Sequence, residues 1–224
     1  MKDPTSTEPT RSKAEIVEAA LRLAAARPWS QVGMADIAAA AGITLADMRR
    51  AFPGKGAILA AFVRSIDDAV LARVQVRKPG EAGRDALFEV VMSRLDVLAP
   101  YKPALKSITA SMPLEPALLR SAFASQAWML HAAGVAADGP AGTVRVAGLM
   151  SVYASVFRTW LADDDPGMAR TMAALDRRLR RGERSLSTLD ELCAGVRRVT
   201  GAVTDAIWPE RSGAAKPPPA TPPA

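Results

Sequence analysis

The sequence predicts an all-α protein in which a small three-helix module precedes a larger helical bundle. Alanine, leucine, arginine and methionine recur at helical spacing along the 224 residues, and alternating runs of β-branched and aromatic residues are missing. Prolines and glycines divide the chain into segments, with Pro79-Gly80 between the two parts. Residues 1–78 carry twelve basic and eight acidic side chains, so the smaller part holds most of the net charge of +6.

The composition excludes several classes of protein. One histidine and one cysteine, Cys193, exclude an internal disulfide and a His/Cys zinc site. Glycine-rich phosphate loops and nucleophile elbows are missing, so we expect no enzyme activity, no cofactor and no metal site. No apolar run reaches the length of a membrane span and residues 1–10 are polar, which predicts a soluble, cytoplasmic protein. The basic balance favours contact with DNA or acidic lipid surfaces.

The first helix is predicted to begin after Ser12. Ser12 and Glu15 have the spacing of a capping box, in which each side chain bonds the backbone amide of the other. Ile16, Ala20 and Leu23 form one apolar stripe. Arg27-Pro28 ends the helix.

Two short helices follow. The first covers residues 35–41 and is closed by Gly42, whose backbone freedom suits the position after a helix end. Thr44 is placed to cap the next helix, which ends at Phe52 before Pro53. Two short helices joined by this turn predict a helix-turn-helix.

The outer face of the third helix is predicted to enter a DNA major groove, because Met48 and Phe52 form its inner face. Lys55, with the amides at the start of a fourth helix, is placed to bind a phosphate. Asp47 repels the DNA backbone unless it accepts from a cytosine amine. In the alternative interpretation, Arg49 and Arg50 only solvate an exposed helix. The candidate DNA-binding residues are Thr44, Leu45, Ala46, Asp47, Arg49, Arg50 and Lys55.

Residues 11–65 resemble the DNA-binding domain of TetR-family transcriptional regulators. The resemblance rests on residues 16–24, on the turn motif of residues 36–44 and on Phe52-Pro-Gly-Lys55. It implies a dimeric, ligand-responsive repressor that binds a double-stranded DNA operator. The family usually has threonine, glycine, tyrosine and histidine at four positions that differ here, and two of its phosphate contacts are therefore missing, although an arginine can replace the tyrosine contact. These positions are Met34, Ala46, Arg49 and Ala51.

The larger bundle is predicted to contain six helices. Asp163-Asp-Asp165 is interpreted as a solvated loop, and the arginines near residue 180 as a solvated helix end. The seam of the last helix is core, a dimer contact or, with Arg197 and Arg198, a membrane-lying face. The predicted helices cover residues 81–98, 104–112, 115–133, 142–161, 168–181 and 187–207. The predicted domains are a flexible N-terminus (1–10), the helix-turn-helix domain (11–65), a ligand-binding and dimerisation domain (66–208) and a disordered proline-rich tail (209–224).

A set of aromatic and polar residues in the bundle is predicted to line an apolar cavity for a small hydrophobic or lipidic effector. The set contains Trp128, His131, Tyr153, Phe157 and Trp160. The alternative is that these side chains belong to the ordinary core, with a structural histidine beside a tryptophan.

A second resemblance concerns residues 94–100 and 153–178, which are similar to the C-terminal half of the ubiquinone-biosynthesis accessory proteins. Those proteins share the TetR fold, bind isoprenoid lipids and do not repress transcription. The resemblance implies an alternative function as a lipid-binding accessory protein without DNA binding.

Overall fold

The computed structural model describes residues 12–74, 82–111 and 116–182. Within these ranges the regular structure is helical and contains no strand, so the predicted all-α class is confirmed. Short 3₁₀ turns at Trp29–Gln31 and Ala99–Tyr101 precede the second and sixth helices. The helices are α1 (Lys13–Ala26), α2 (Met34–Ala41), α3 (Leu45–Ala51), α4 (Lys55–Leu71), α5 (Gly83–Leu98), α6 (Lys102–Ala110), α7 (Pro116–Ala132), α8 (Gly139–Leu161) and α9 (169–182).

Several predictions concern segments outside the described residues. They are the flexible N-terminus (1–10), the Pro79-Gly80 break, the last helix (187–207) with Arg197 and Arg198, Cys193, and the tail (209–224).

The ends of α1 follow from local sequence. The Ser12 amide donates to Glu15 Oε2 at 2.8 Å, and the Glu15 amide donates to Ser12 Oγ at 3.3 Å, so the predicted capping box is confirmed. Arg27 is extended, with φ −152° and ψ 162°, because the following Pro28 disfavours helical backbone.

The long helix α4 joins the N-terminal module to the rest of the chain. It packs on α1 at one end and on α5 and α7 farther along, and its buried side chains belong to one core that continues through α8 and α9. The apolar members on α4 are Ile58, Leu59, Phe62, Ile66 and Val70. The predicted boundary between residues 65 and 66 lies within α4, so one helix belongs to both predicted domains.

The connection between α8 and α9 differs from the predicted solvated loop. Asp163 is only 2% exposed, and its carboxylate accepts from the Thr171 amide at 3.0 Å and the Thr171 hydroxyl at 2.7 Å. The hydroxyl bond is the main cause that lowers the pKa of Asp163. Asp165 accepts from the Gly167 and Ala169 amides, both at 3.1 Å. These two carboxylates therefore organise the turn and satisfy amides at the start of α9.

Gly142 lies in the first turn of α8, where α8 meets the preceding loop. A Cβ at this position would lie 2.1 Å from the carbonyl carbon and oxygen of Ala137. Gly148, farther along α8, has nothing within 4 Å of its Cβ position. Close backbone approach thus explains the first glycine and not the second.

No helix in the described ranges combines the length and hydropathy needed to cross a membrane.

Candidate nucleic-acid interface

The turn between α2 and α3 fixes the position of α3. Gly42 is left-handed, with φ 68° and ψ 35°, as predicted, and the Ile43 amide donates to the Ala38 carbonyl at 3.0 Å. This closes α2 and turns the chain sharply. Thr44 then caps α3, because its hydroxyl oxygen accepts from the Asp47 amide at 3.1 Å. The predicted helix-turn-helix is confirmed.

The Asp47 carboxylate is bonded to other residues of α3 and its N-cap. Its carboxylate accepts from the Thr44 hydroxyl at 2.6 Å and forms an ion pair with Arg50, one turn later. The Thr44 hydrogen bond, and after it the Arg50 charge, lowers the pKa of Asp47, so this carboxylate is ionised at neutral pH. The repulsion of DNA phosphates expected from Asp47 is therefore offset by a cation on the same surface.

The outer face of α3 is open. Met48 and Phe52 are buried, as predicted, and hold the helix against the module. Leu45 has 58% of its surface exposed although it is a large apolar residue. The other exposed positions are Thr44, Ala46, Arg49 and Arg50. This face combines two cations, a methyl-rich side chain and a small residue.

Lys55 lies partly below the surface. Its ammonium donates to the carbonyls of Trp29 at 2.7 Å and Val32 at 2.8 Å, and stands 4.3 Å from the centre of the Trp29 ring. It thereby holds the 3₁₀ turn between α1 and α2 against the start of α4. Two of its three donors serve the module itself, and phosphate binding by Lys55 stays a prediction.

The module is tied to α6 by hydrogen bonds. The Trp29 amide donates to Ser107 Oγ at 2.9 Å, and the same hydroxyl donates to the Arg27 carbonyl at 3.1 Å. At the other end of α6, the Tyr101 hydroxyl donates to Glu18 at 2.9 Å. Hydrogen bonds therefore link α6 and the 3₁₀ turn before it to α1 and to the chain that leads into α2.

A buried polar cluster joins four helices behind the module. Asp67 of α4 and Arg94 of α5, 8% and 4% exposed, form an ion pair. Ser125 of α7 donates to the Asp67 carboxylate at 2.6 Å, and Arg94 Nε donates to the Tyr153 hydroxyl of α8 at 3.1 Å. Burial raises the pKa of Tyr153, which keeps this hydroxyl protonated at neutral pH.

Sequence reasoning missed this cluster, although the sequence contains a usable sign of it. Arg94 lies within the apolar stripe of α5 that includes Val91 and Leu98, and Asp67 interrupts the stripe of α4 beside Ile66. Opposite charges at core positions of two helices indicate a buried pair, because isolated charges are rarely buried. No comparable pattern in the sequence indicates the hydrogen bond between Trp29 and Ser107.

The five predicted effector residues fall into two groups. Trp128 and His131 are exposed on α7, with ring centres 5.9 Å apart. Tyr153, Phe157 and Trp160 follow one another along α8, with successive ring centres 5.8 and 5.4 Å apart. No ring contact between the groups occurs in the described part of the chain. Of the two groups, the α8 aromatics lie beside the buried polar cluster, through Tyr153.

A groove of about 490 Å³ lies between α5 and α9. None of the predicted effector residues lines it. Phe88, Met172 and Leu179 supply its apolar surface, and Arg84, Asp85, Glu89 and Asp176 are its charged residues.

Comparison with known proteins supports the interpretation of the module. Residues 16–62 match the family model of bacterial regulatory proteins of the tetR family. No curated protein sequence matches the chain significantly.

Solved structures extend the similarity to the whole fold. A TetR transcriptional regulator from Rhodococcus sp. RHA1 is 20% identical, with 77% of this chain and 95% of that chain covered and a TM-score of 0.60. A TetR regulator from Nitrosomonas europaea is 21% identical, with 76% and 97% covered and a TM-score of 0.58. A tetR-family regulator from Streptomyces coelicolor is 20% identical, with 88% and 98% covered and a TM-score of 0.52. At these identities the comparisons show that the fold is shared.

Proposed function

We propose that this chain is a transcriptional regulator of the TetR type, a homodimeric repressor without enzyme activity that acts in the cytoplasm on a double-stranded DNA operator. A small hydrophobic or lipidic effector releases it from the DNA. The observation that carries the proposal is the open face of α3, on a helix held by Met48 and Phe52 and fixed by the Gly42 turn. An exposed helix of this kind, with Arg49 and Arg50 on it, suits a major groove.

The path from effector to DNA runs through α4 and α6. Asp67 ties α4 to α5, α7 and, through Arg94, to Tyr153 of α8. Ser107 ties α6 to the chain between α1 and α2. An effector that binds beside the α8 aromatics favours a different packing of these helices, and it releases DNA to the extent that it binds that packing more tightly.

Dimerisation through the late helices is supported by exposed apolar and small residues. Val144 on α8 and Met172 on α9 are 51% and 37% exposed, and Ala147 and Ser151 continue an exposed line along α8. Pairing these faces in two copies places two α3 helices for the two halves of a palindromic operator. Sedimentation equilibrium should give twice the chain mass, and a monomer at micromolar concentration would contradict the dimer.

Fluorescence anisotropy with labelled DNA from the region flanking the gene tests DNA binding. We expect one segment to bind more tightly than bulk DNA, with an affinity that falls as salt rises. Equal affinity for all DNA at every salt concentration would overturn the proposal.

The variant Arg49→Ala tests the interface itself, with Arg178→Ala as the matched control. Both remove one exposed arginine from a helix, and Arg178 lies on α9, outside the matched domain. We expect Arg49→Ala to weaken operator binding about tenfold or more and to leave the circular dichroism unchanged. Arg178→Ala should bind like the unchanged protein. Lys55→Ala is unsuitable, because it also removes the two carbonyl contacts.

Effector release and repression have separate tests. Native mass spectrometry of the purified protein should detect a bound hydrophobic molecule, and adding that molecule should lower the anisotropy of the operator complex. Deleting the gene should raise expression of a reporter under the operator, whereas lowered expression would indicate an activator.

A further inference from the structure

Most polar groups on the outer face of α3 are already engaged within the helix. The Thr44 hydroxyl and the Arg50 guanidinium both bond the Asp47 carboxylate. Among the described residues, Arg49 has no such bond, and Leu45 exposes 58% of its surface. Leu45 and Arg49 are four residues apart and therefore lie side by side on the helix.

The described part of the chain leaves most of the Leu45 side chain exposed. It is the most exposed of the large apolar side chains in the described ranges, and it sits at the first position of the helix that faces DNA in the proposed function. Asp47, by contrast, has each carboxylate oxygen already bonded, one to Thr44 and the other to Arg50.

The major-groove edges of the bases offer only one apolar group, the C5 methyl of thymine. An exposed leucine at the start of a recognition helix matches that group, because the contact removes apolar surface of both partners from water. We propose that Leu45 contacts a thymine methyl in each half of the operator and makes this protein specific for thymine at that position. The inference rests on the proposed function, and it adds to that function the base that the Leu45 side chain selects.

The test replaces thymine by deoxyuridine at each position of the operator, one half-site at a time. This removes the methyl group and leaves base pairing intact. With the unchanged protein, we expect one position in each half-site to lose affinity about fourfold, and about sixteenfold when both half-sites carry the replacement. 5-Methylcytosine opposite guanine at the same position should bind more tightly than cytosine.

Variants assign the effect to Leu45. Leu45→Ala should bind the thymine and uracil operators with equal affinity, whereas Leu45→Met, which keeps an apolar side chain of similar volume, should keep most of the preference. Leu119→Ala is the matched control, because Leu119 is also an exposed leucine, on α7, and its removal should leave the preference unchanged.

Two outcomes separate this inference from the proposed function. If the protein prefers its operator over bulk DNA but binds the uracil operator equally at every position, the role of Leu45 is wrong and the regulator proposal stands. A preference that survives in Leu45→Ala also overturns the inference. If no DNA is preferred at all, the proposed function fails and the inference fails with it.

Discussion

Two glycine-to-alanine substitutions on α8 are expected to change stability in opposite directions. In Gly142→Ala the new methyl collides with the Ala137 carbonyl, and we expect a loss of roughly 1–3 kcal/mol from the free energy of unfolding. Gly148→Ala adds the same methyl where nothing lies within 4 Å, and alanine stabilises a helix relative to glycine by about 0.5–1 kcal/mol. Urea unfolding at equal protein concentration measures both. Equal effects of the two changes would contradict the tight approach at Gly142.

The positions of single residues were predictable where a pattern of neighbours defines them. Met48 and Phe52 mark the inner face of α3, so the outward direction of Leu45 and Arg49 followed from the sequence. The partner of a charged side chain was not predictable in this way. Lys55 bonds carbonyls more than twenty residues earlier in the chain, and no local spacing indicates which groups tertiary packing brings together.

At the scale of helices, Ser107 joins α6 to the N-terminal module. Ser107→Ala leaves the Trp29 amide and the Arg27 carbonyl without this hydroxyl, which should lower the free energy of unfolding by about 1–3 kcal/mol. Hydrogen exchange at the Trp29 amide should become faster. Ser65→Ala is the control, because the Ser65 hydroxyl donates to the Phe62 carbonyl of its own helix at 2.8 Å, and it should leave exchange at Trp29 unchanged. Unaltered exchange in Ser107→Ala would show that the hydroxyl does not hold the turn.

The second prediction about helix packing concerns the stability that depends on the Asp67–Arg94 ion pair. Arg94→Met leaves a buried carboxylate without its cation, and we expect a loss of about 3–5 kcal/mol from the free energy of unfolding. The double variant Asp67→Leu with Arg94→Met removes both charges and should be more stable than Arg94→Met alone.

Lys106→Met is the control for this pair, because it breaks the exposed contact with Asp164 at 3.5 Å and should change stability by less than about 1 kcal/mol. Denaturant unfolding of the four proteins checks the series. A double variant less stable than Arg94→Met would show that the pair itself, and not the unpaired charge, governs stability.

The sequence predicts which segments are helical, but it does not predict which helices pack against each other. Proline, glycine and capping residues gave ends close to those of α1 to α9, since these residues act on their own backbone. The buried cluster of Asp67 and Arg94 depends on which faces of α4 and α5 meet, which periodicity alone does not determine. The sequence predicts that Asp163 is solvated, because its bonds to Thr171 span an irregular turn that no sequence pattern indicates.

For the whole molecule, lowered carboxyl pKa values make stability depend on pH under acid conditions. The pKa values of Asp36, Asp47 and Asp163 are all lowered from 3.8, chiefly by hydrogen bonds from Gly33, Thr44 and Thr171 respectively. Because the unfolded chain binds these protons more readily, their contribution is complete above pH 3.8 and is lost as the pH falls through the lower, folded values.

Thermal unfolding followed by circular dichroism from pH 7 to pH 2 checks this expectation. The melting temperature should be nearly constant from pH 7 to about pH 5 with respect to these groups and should fall at lower pH. The variant Asp163→Asn should have a smaller fall. An equally steep fall in that variant would remove Asp163 from the explanation.

The surroundings of the tryptophans have an optical consequence. Trp29, in the N-terminal module, is buried beneath the Lys55 ammonium. Trp160, on α8, is buried with its ring centre 5.1 Å from the Lys102 ammonium. Trp128, on α7, is 55% exposed. A buried indole emits at shorter wavelength than a hydrated one, and iodide quenches only the hydrated one. Variants that keep only one of these three among the four tryptophans of the chain therefore give three intrinsic reporters, so the response of each region to DNA or effector can be recorded without an attached dye.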